Sequence, residues 1–348
     1  MFYSTVAYIL AFLIYPIPIL AQLAPTTDVG GLPAFDNSNY PPDRNYTEVC
    51  WLTAHNAFSS KAEGWFYAQQ NLSLQDQFNY GVRSFMIDLW WYDPAWLLNP
   101  QALVTLSPGP SSYVCLCHDN GVLSQFQRGF SAPTPVSEFF SQVRDWLNAN
   151  NQAVITLHLE DRLDNGPLGP AAAIEGLLRD AGLLDFVYRP GTQDVQDWPT
   201  LGQMRTTGKR LIIFSDKRSD GMINVASYRE TKYDLGEFPN CEMRGEGRNS
   251  NGQRKLFLLN HFYKVSLPSI YDYKGVNSCE EIRRRLESCS QSQRLLPNFI
   301  AVDYVEQGDA LQIVQLLNTV KANHFQAPTP TYINILNQCT PHPMHDEL

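Results

Sequence analysis

The chain has 348 residues, 44% hydrophobic and 12% aromatic, enough for one large core of the size at which α/β barrels occur and too apolar for a disordered protein. Only 18% of its residues are charged, below the roughly 25% of ordinary globular chains. The formal net charge of −9 excludes nucleic acid as a partner, which needs a basic surface, and gives no polybasic grip on anionic lipid.

From Val6 to Leu20 the chain is nearly all apolar, and it reaches Ala21 without a charged side chain. The run is short for a bilayer span and is broken by Pro16 and Pro18, so residues 1–21 read as a secretory signal peptide. Residues 22–48 are rich in Pro, Gly, Asn and Asp and read as an irregular lead-in. Strand-like runs follow at 49–54, 82–89, 113–117, 153–159, 210–214, 256–259 and 299–305. Between them Val136, Phe139, Phe140, Val143 and Leu147 share a helical face, as do Leu311, Val314, Leu317 and Val320, and "CEEIRRRLESC" at 279–289 also reads as helix. From 216 to 256 the pattern dissolves into Gly, Arg, Asn and Ser, which reads as long loops. This alternation predicts an α/β fold, a parallel sheet closed as a distorted TIM-type (β/α) barrel in a single domain over 49–340.

Seven cysteines fit an oxidising compartment, and their odd number leaves at least one thiol free. Cys279 and Cys289 would lie about 15 Å apart along a helix, too far for a disulfide, so each is expected to bond elsewhere if bonded at all. Cys115 and Cys117 read as small buried thiols on a strand rather than as zinc ligands, since no second ligand pair accompanies them. The sequons at Asn45 and Asn71 fit passage through a lumen and mark the chain as a candidate glycoprotein. The chain ends in His345-Asp346-Glu347-Leu348, a retention signal that predicts the lumen of the endoplasmic reticulum if it is read and secretion if it is not.

On the predicted frame, polar residues gather at strand ends: His55 and Asn56 after the first run, Asp88 in the second, His118 after the third, Glu160 after the fourth and Asp303 in the last. In a (β/α) barrel these ends converge on one mouth, where active sites lie. Two histidines suit acid–base work, one taking a proton from a nucleophile and the other protonating a leaving group, with an acid setting the tautomer of the first. Oxygen donors from Asn, Asp and Glu are what a hard cation such as Ca²⁺ prefers. A cation facing two histidines points to an anionic phosphodiester.

The stretches "WLTAHNAFSS", "GVRSFMIDLWWYD", "CLCHDNG", "VITLHLEDR" and "NFIAVDY", in that order, resemble the phosphatidylinositol-specific phospholipase C X-domain superfamily, especially the secreted X-domain proteins of plants and fungi. The resemblance runs from about Val49 to Asn323 and implies a TIM-barrel-like phosphodiesterase. That family cleaves inositol phospholipids by attack of the inositol 2-hydroxyl on phosphorus, releasing diacylglycerol and a cyclic inositol phosphate. Position by position it implies His55 as general base, His118 as general acid and Asp303 as the acid that orients the base. It implies Asn56, Asp88 and Glu160 as ligands of a weakly held Ca²⁺. The metal-dependent enzymes carry Glu where this chain has Met86. The metal-free bacterial enzymes carry Arg and Lys where it has Asp88 and Glu160. Arg83 and Lys217 are candidate substrate-binding cations, while His158, facing opposite to Leu157 and Leu159, is assigned no role. The expected partner is phosphatidylinositol or a glycosylphosphatidylinositol at a membrane surface, met by a monomer. The rivals are another head group, such as sphingomyelin or a glycerophosphodiester, and a head-group binding protein without turnover.

Overall fold

The structure is a computed structural model that describes residues 40–97, 108–109, 111–118, 131–164, 166, 169–189, 198–215, 223–224, 228–232, 235–236, 241–243, 256–264, 271–293, 296–319, 334 and 336–339. The expected signal peptide, residues 22–39 of the lead-in, Lys217 and the C-terminal tetrapeptide lie outside these residues.

Among the described residues, nine strands form one curled sheet. They are β1 (Trp51–Ala54), β2 (Ser84–Tyr92), β3 (Tyr113–Leu116), β4 (Ile155–Arg162), β5 (Leu211–Ser215), β6 (Ile223–Asn224), β7 (Tyr228–Glu230), β8 (Leu256–His261) and β9 (Phe299–Val302). Neighbours run in the order β6-β5-β4-β2-β1-β9-β8-β7, and every pairing along that path is parallel. Helices return the chain between strands, as parallel pairing requires. They are α1 (Leu74–Tyr80), α2 (Val136–Ala149), α3 (Pro170–Asp180), α4 (Leu201–Thr207), the single turn α5 (Tyr273–Val276), α6 (Cys279–Gln293) and α7 (Ala310–Thr319).

The seven expected strands are all present. β6 and β7 fall in the stretch read as loops, because two or three residues carry too little alternation to register. One expectation needs correction. β3 is not a barrel strand: it leaves the parallel path and pairs antiparallel with β2, Leu89 opposite Leu116 and Trp90 opposite Cys115. The cause is the length of β2, which continues past the end of β1 and so offers a free edge to a returning hairpin.

Strand alternation divides the apolar side chains into two clusters. Inside the curl sit Trp51, Met86, Ile212, Phe214, Leu258 and Phe299. On the outer face Leu52, Phe85, Ile87, Leu157, Ile213 and Ile300 pack beneath the helices, meeting Phe139, Phe140 and Val143 of α2 and Ile313, Val314 and Leu317 of α7. The amino end of the curl is closed by Tyr46, which is fully buried. It shares a 2.6 Å hydrogen bond with Thr156 Oγ1 and stacks on Trp198 with centroids 4.8 Å apart.

Three disulfides tie the periphery, Cys115–Cys117, Cys241–Cys289 and Cys279–Cys339, and Cys50 is a buried free thiol. Cys279 and Cys289 thus take different partners, as their helical spacing requires. Cys115 and Cys117, expected as thiols, are instead bonded to each other. Both are fully buried in a small cluster with Tyr92. Asn71 donates its side-chain amide to Glu306, so a glycan on that nitrogen would displace an existing hydrogen bond.

Candidate active site

The carboxyl ends of β1 and β9 lie side by side, Ala54 in register with Val302. Alternation carries the inward set Trp51, Thr53 to His55, and the inward set Phe299, Ala301 to Asp303. The two side chains meet: His55 Nδ1 is 2.7 Å from Asp303 Oδ1. Asp303 is fully buried and accepts a second hydrogen bond, of 3.0 Å, from the Tyr273 hydroxyl. Burial raises the Asp303 pKa, and the adjacent His55 together with the Tyr273 bond opposes that rise. With Nδ1–H given to the carboxylate, the His55 ring presents Nε2 as the basic nitrogen. The Asn56 amide donates to that Nε2 at 3.2 Å and to Gln69 Oε1 at 2.9 Å. Phe262 stacks on the imidazole face, centroids 3.6 Å apart and planes 6° from parallel.

The turn that aims His55 is unusual for a non-glycine chain. Asn56 has φ +42° and Tyr304, one residue past Asp303, has φ +48°, the left-handed region that asparagine tolerates best after glycine. Both turns are clamped together. Gln70 Nε2 donates to the carbonyls of His55 and Val302, and Tyr304 N donates to Gln69 O. The loop after β1 and the loop after β9 therefore hold each other.

His118 arrives from the β2 side, by way of β3. It directly follows β3 and Cys117, whose N–H donates to Asp88 O at 3.2 Å. Its ring packs against Phe58 and Trp65, at centroid distances of 5.2 and 5.3 Å. Desolvation in this aromatic corner, with the charge of His55 adding to it, pushes the His118 pKa down to about 3.

Asp88 and Glu160 stand opposite one another on β2 and β4, one layer beyond the Met86–His158 pair. Alternation from Met86 turns both toward the interior. Glu160 Oε2 accepts from Arg162 at 3.1 Å. Among the described residues no three His, Cys, Asp or Glu side chains converge as a metal cage. The site offers a divalent cation two oxygen donors in register, chemically suited to a hard ion, while the nitrogen of the Asn56 amide is committed to His55 and Gln69.

The expected residues therefore divide. His55 and Asp303 meet directly, with Asn56 on His55, and His118, Asp88 and Glu160 lie at the same end of the sheet. Arg83 does not join them. It precedes β2 at the amino end, is buried, and spends its guanidinium on the carbonyls of Phe78 and Val82 and on the face of Trp146. The carbonyls at the C-terminal turn of α1 and just beyond it face this position, and the neighbouring arginine donates to them. His158 is also structural, held in the interior by a 2.9 Å hydrogen bond with Ser84 Oγ and by Phe214 and Phe299. Phe262, Gln69, Tyr273 and Arg162 were not foreseen. The period-two series Leu256, Leu258, Asn260, Phe262 could have flagged Phe262, and Arg162 continues the series His158, Glu160. Tyr273 sits on a single helical turn and carries no comparable signal.

A curled parallel sheet wrapped by helices, with a histidine–carboxylate pair and a second histidine at the carboxyl ends of its strands, defines a TIM-barrel-like protein. The chain belongs to the PI-PLC X family, which it matches over residues 112–318. It is 25% identical over 323 residues to "PI-PLC X domain-containing protein 1" of Arthroderma benhamiae, covering 86% of this chain and 95% of that one. A second protein of the same fungus, "Uncharacterized secreted protein", is 23% identical over 314 residues, 80% of this chain and 63% of that one. Among solved structures, the phosphatidylinositol-specific phospholipase C of S. aureus superposes with a TM-score of 0.51 at 12% identity, over 82% of this chain and 97% of that one.

Proposed function

We propose that the protein is a phosphodiesterase of phospholipase C type that acts on phosphatidylinositol or a glycosylphosphatidylinositol. The observation that carries this reading is the buried carboxylate–histidine pair, Asp303 to His55, with a second, neutral histidine nearby at the same end of the sheet. In the reaction His55 Nε2 takes the proton of the inositol 2-hydroxyl as its oxygen bonds to phosphorus. The bond from phosphorus to the diacylglycerol oxygen breaks, and His118 gives that oxygen its proton. Diacylglycerol and a cyclic inositol phosphate leave. His118 is neutral in the free protein at neutral pH, and a docked phosphodiester anion would raise its pKa and load the proton it must donate.

Two carboxylates next to a phosphate would repel it even with Arg162 paired to Glu160, so Asp88 and Glu160, together with Asn56, are proposed to hold a divalent cation when substrate is bound. Such an ion supplies positive charge to the phosphate oxygens. With Met86 where a third carboxylate could stand, affinity is expected to be weak, in the ~10⁻⁴–10⁻³ M range of extracellular calcium modules.

Access to a lipid surface is supported by Phe66, 67% exposed, and by the partly exposed Tyr67 and Tyr271. They sit on the loops after β1 and β8, at the carboxyl end of the sheet. The test is turnover of phosphatidylinositol, glycosylphosphatidylinositol, sphingomyelin and glycerophosphodiester vesicles with and without chelator. Inositol lipids are expected to turn over, and chelation and Asp88→Asn should each lower the rate at least about 10-fold. Met86→Glu should tighten Ca²⁺ binding. Rates untouched by chelator and by Asp88→Asn would remove the metal, and turnover confined to another head group would replace the substrate. Phe66→Ala should slow hydrolysis of vesicles and leave a water-soluble substrate unaffected.

The apolar leader and the terminal His345-Asp346-Glu347-Leu348, together with a fungal relative described as secreted, support a place in the secretory pathway. No helix among the described residues is long and apolar enough to cross a membrane. Deleting the last four residues should send the protein to the medium of a eukaryotic host while the full chain stays inside. Equal secretion of both forms would remove the retention reading.

A further inference from the structure

The Cys115–Cys117 disulfide closes a loop with a sequence separation of 2, against 48 and 60 for the other two bridges. The stabilisation a disulfide draws from restricting the unfolded chain grows with the loop it closes, so this bridge contributes least by that route. What it does restrict is the backbone of three consecutive residues. The next residue is His118.

The surrounding contacts converge on the same backbone. On one side Cys115 pairs with Trp90 of β2, and Cys117 N–H donates to Asp88 O. On the other side Leu116 N–H donates to Thr134 O at 2.9 Å, and Cys115 bridges to Pro135, the residue before α2. Both half-cystines are fully buried, against Tyr92. Beyond Cys117 the imidazole packs against Phe58 and Trp65, contacts that orient a ring but do not locate its Cα.

We propose that the Cys115–Cys117 disulfide is a positioning device for His118, holding the general acid at the distance from which it can protonate the leaving oxygen. The proposal rests on the phosphodiesterase reading above. It makes the bridge part of the catalytic geometry rather than of the stability of the fold.

A positioning role can be separated from a structural one by the leaving group. An alkoxide needs a proton as it departs, whereas a nitrophenolate leaves without one. The experiment compares phosphatidylinositol with an inositol nitrophenyl phosphodiester for wild type, His118→Ala, the double variant Cys115→Ser/Cys117→Ser and the control double variant Cys241→Ser/Cys289→Ser. His118→Ala should lose at least ~10²-fold on the lipid and much less on the nitrophenyl ester. The Cys115/Cys117 variant should show the same selective loss, of at least about 10-fold, with its KM little changed. The control should be less heat-stable and keep the wild-type ratio of the two rates.

An equal loss on both substrates, or none on either, overturns the positioning role. Should the serine pair not fold, Cys115→Ala/Cys117→Val fills the same buried space and is read by the same ratio. If His118→Ala itself shows no leaving-group dependence, the acid role of His118 falls and the positioning role with it. If wild type cleaves neither substrate, the phosphodiesterase reading is what has failed.

Discussion

Replacing His55 by alanine should lower turnover on an inositol phospholipid by at least ~10²-fold without unfolding the protein. The imidazole Nδ1 is held 2.7 Å from Asp303, and in the proposed reaction the Nε2 turned away from that carboxylate takes the proton. Asp303→Asn should cost a comparable factor, because an amide can offer N–H to Nδ1 and so stabilise the wrong tautomer. Tyr273→Phe, which removes the second hydrogen bond on Asp303 and leaves the first, should lower the rate only a few-fold. Steady-state rates on vesicles, with circular dichroism to confirm folding, give the ranking. An Asp303→Asn enzyme with ordinary turnover would reduce the pair to a structural contact. Ordinary turnover in His55→Ala would remove the residue from the mechanism.

The second large effect is on stability against acid. His158 is buried, bonded to Ser84 and enclosed by Phe214 and Phe299, and burial pushes its pKa down to about 3. In the unfolded chain the same imidazole binds a proton near pH 6.5. Between these values the unfolded state holds the extra proton, so falling pH favours unfolding. The contribution of neutral His158 is therefore complete above about pH 6.5 and fades as pH falls toward about 3, at about 1.4 kcal/mol for each pH unit. At pH 5 this amounts to about 2 kcal/mol, several degrees in Tm. His158→Gln has no such proton to gain, so its Tm should fall less steeply than that of wild type from pH 6.5 to pH 4. Parallel curves would show that His158 does not contribute to acid unfolding.

These two histidines show how far the chain can be read without coordinates. His55 and His158 both lie on inward-facing series, and neither differs from the other in residue type. His55 stood out as a candidate site residue because it ends a strand next to an asparagine within an ordered set of motifs, whereas His158, facing opposite to Leu157 and Leu159, was assigned no role. The same logic placed Asp303, Asp88 and Glu160 at the mouth. Arg83 was misread because a cation near a strand looks the same whether it faces a substrate or caps a helix. Only the return of α1 against the start of β2 decides that it binds carbonyls.

What the sequence determined by itself is whatever depends on near neighbours in the chain. The period-two and period-3.6 patterns specify the strands and the helices over them. The spacing of Cys279 and Cys289 along one helix forbids their pairing. The ordered motifs identify the family. The tertiary structure alone decided what depends on pairing between distant segments. It turned β3 antiparallel against the overhang of β2, so that His118 enters from a hairpin rather than from a barrel strand. It brought Tyr273 and Phe262 onto the Asp303–His55 pair. Those contacts join residues far apart in sequence, and no local pattern encodes them. They form only when the curl of the sheet carries the ends of β1, β8 and β9 to one place.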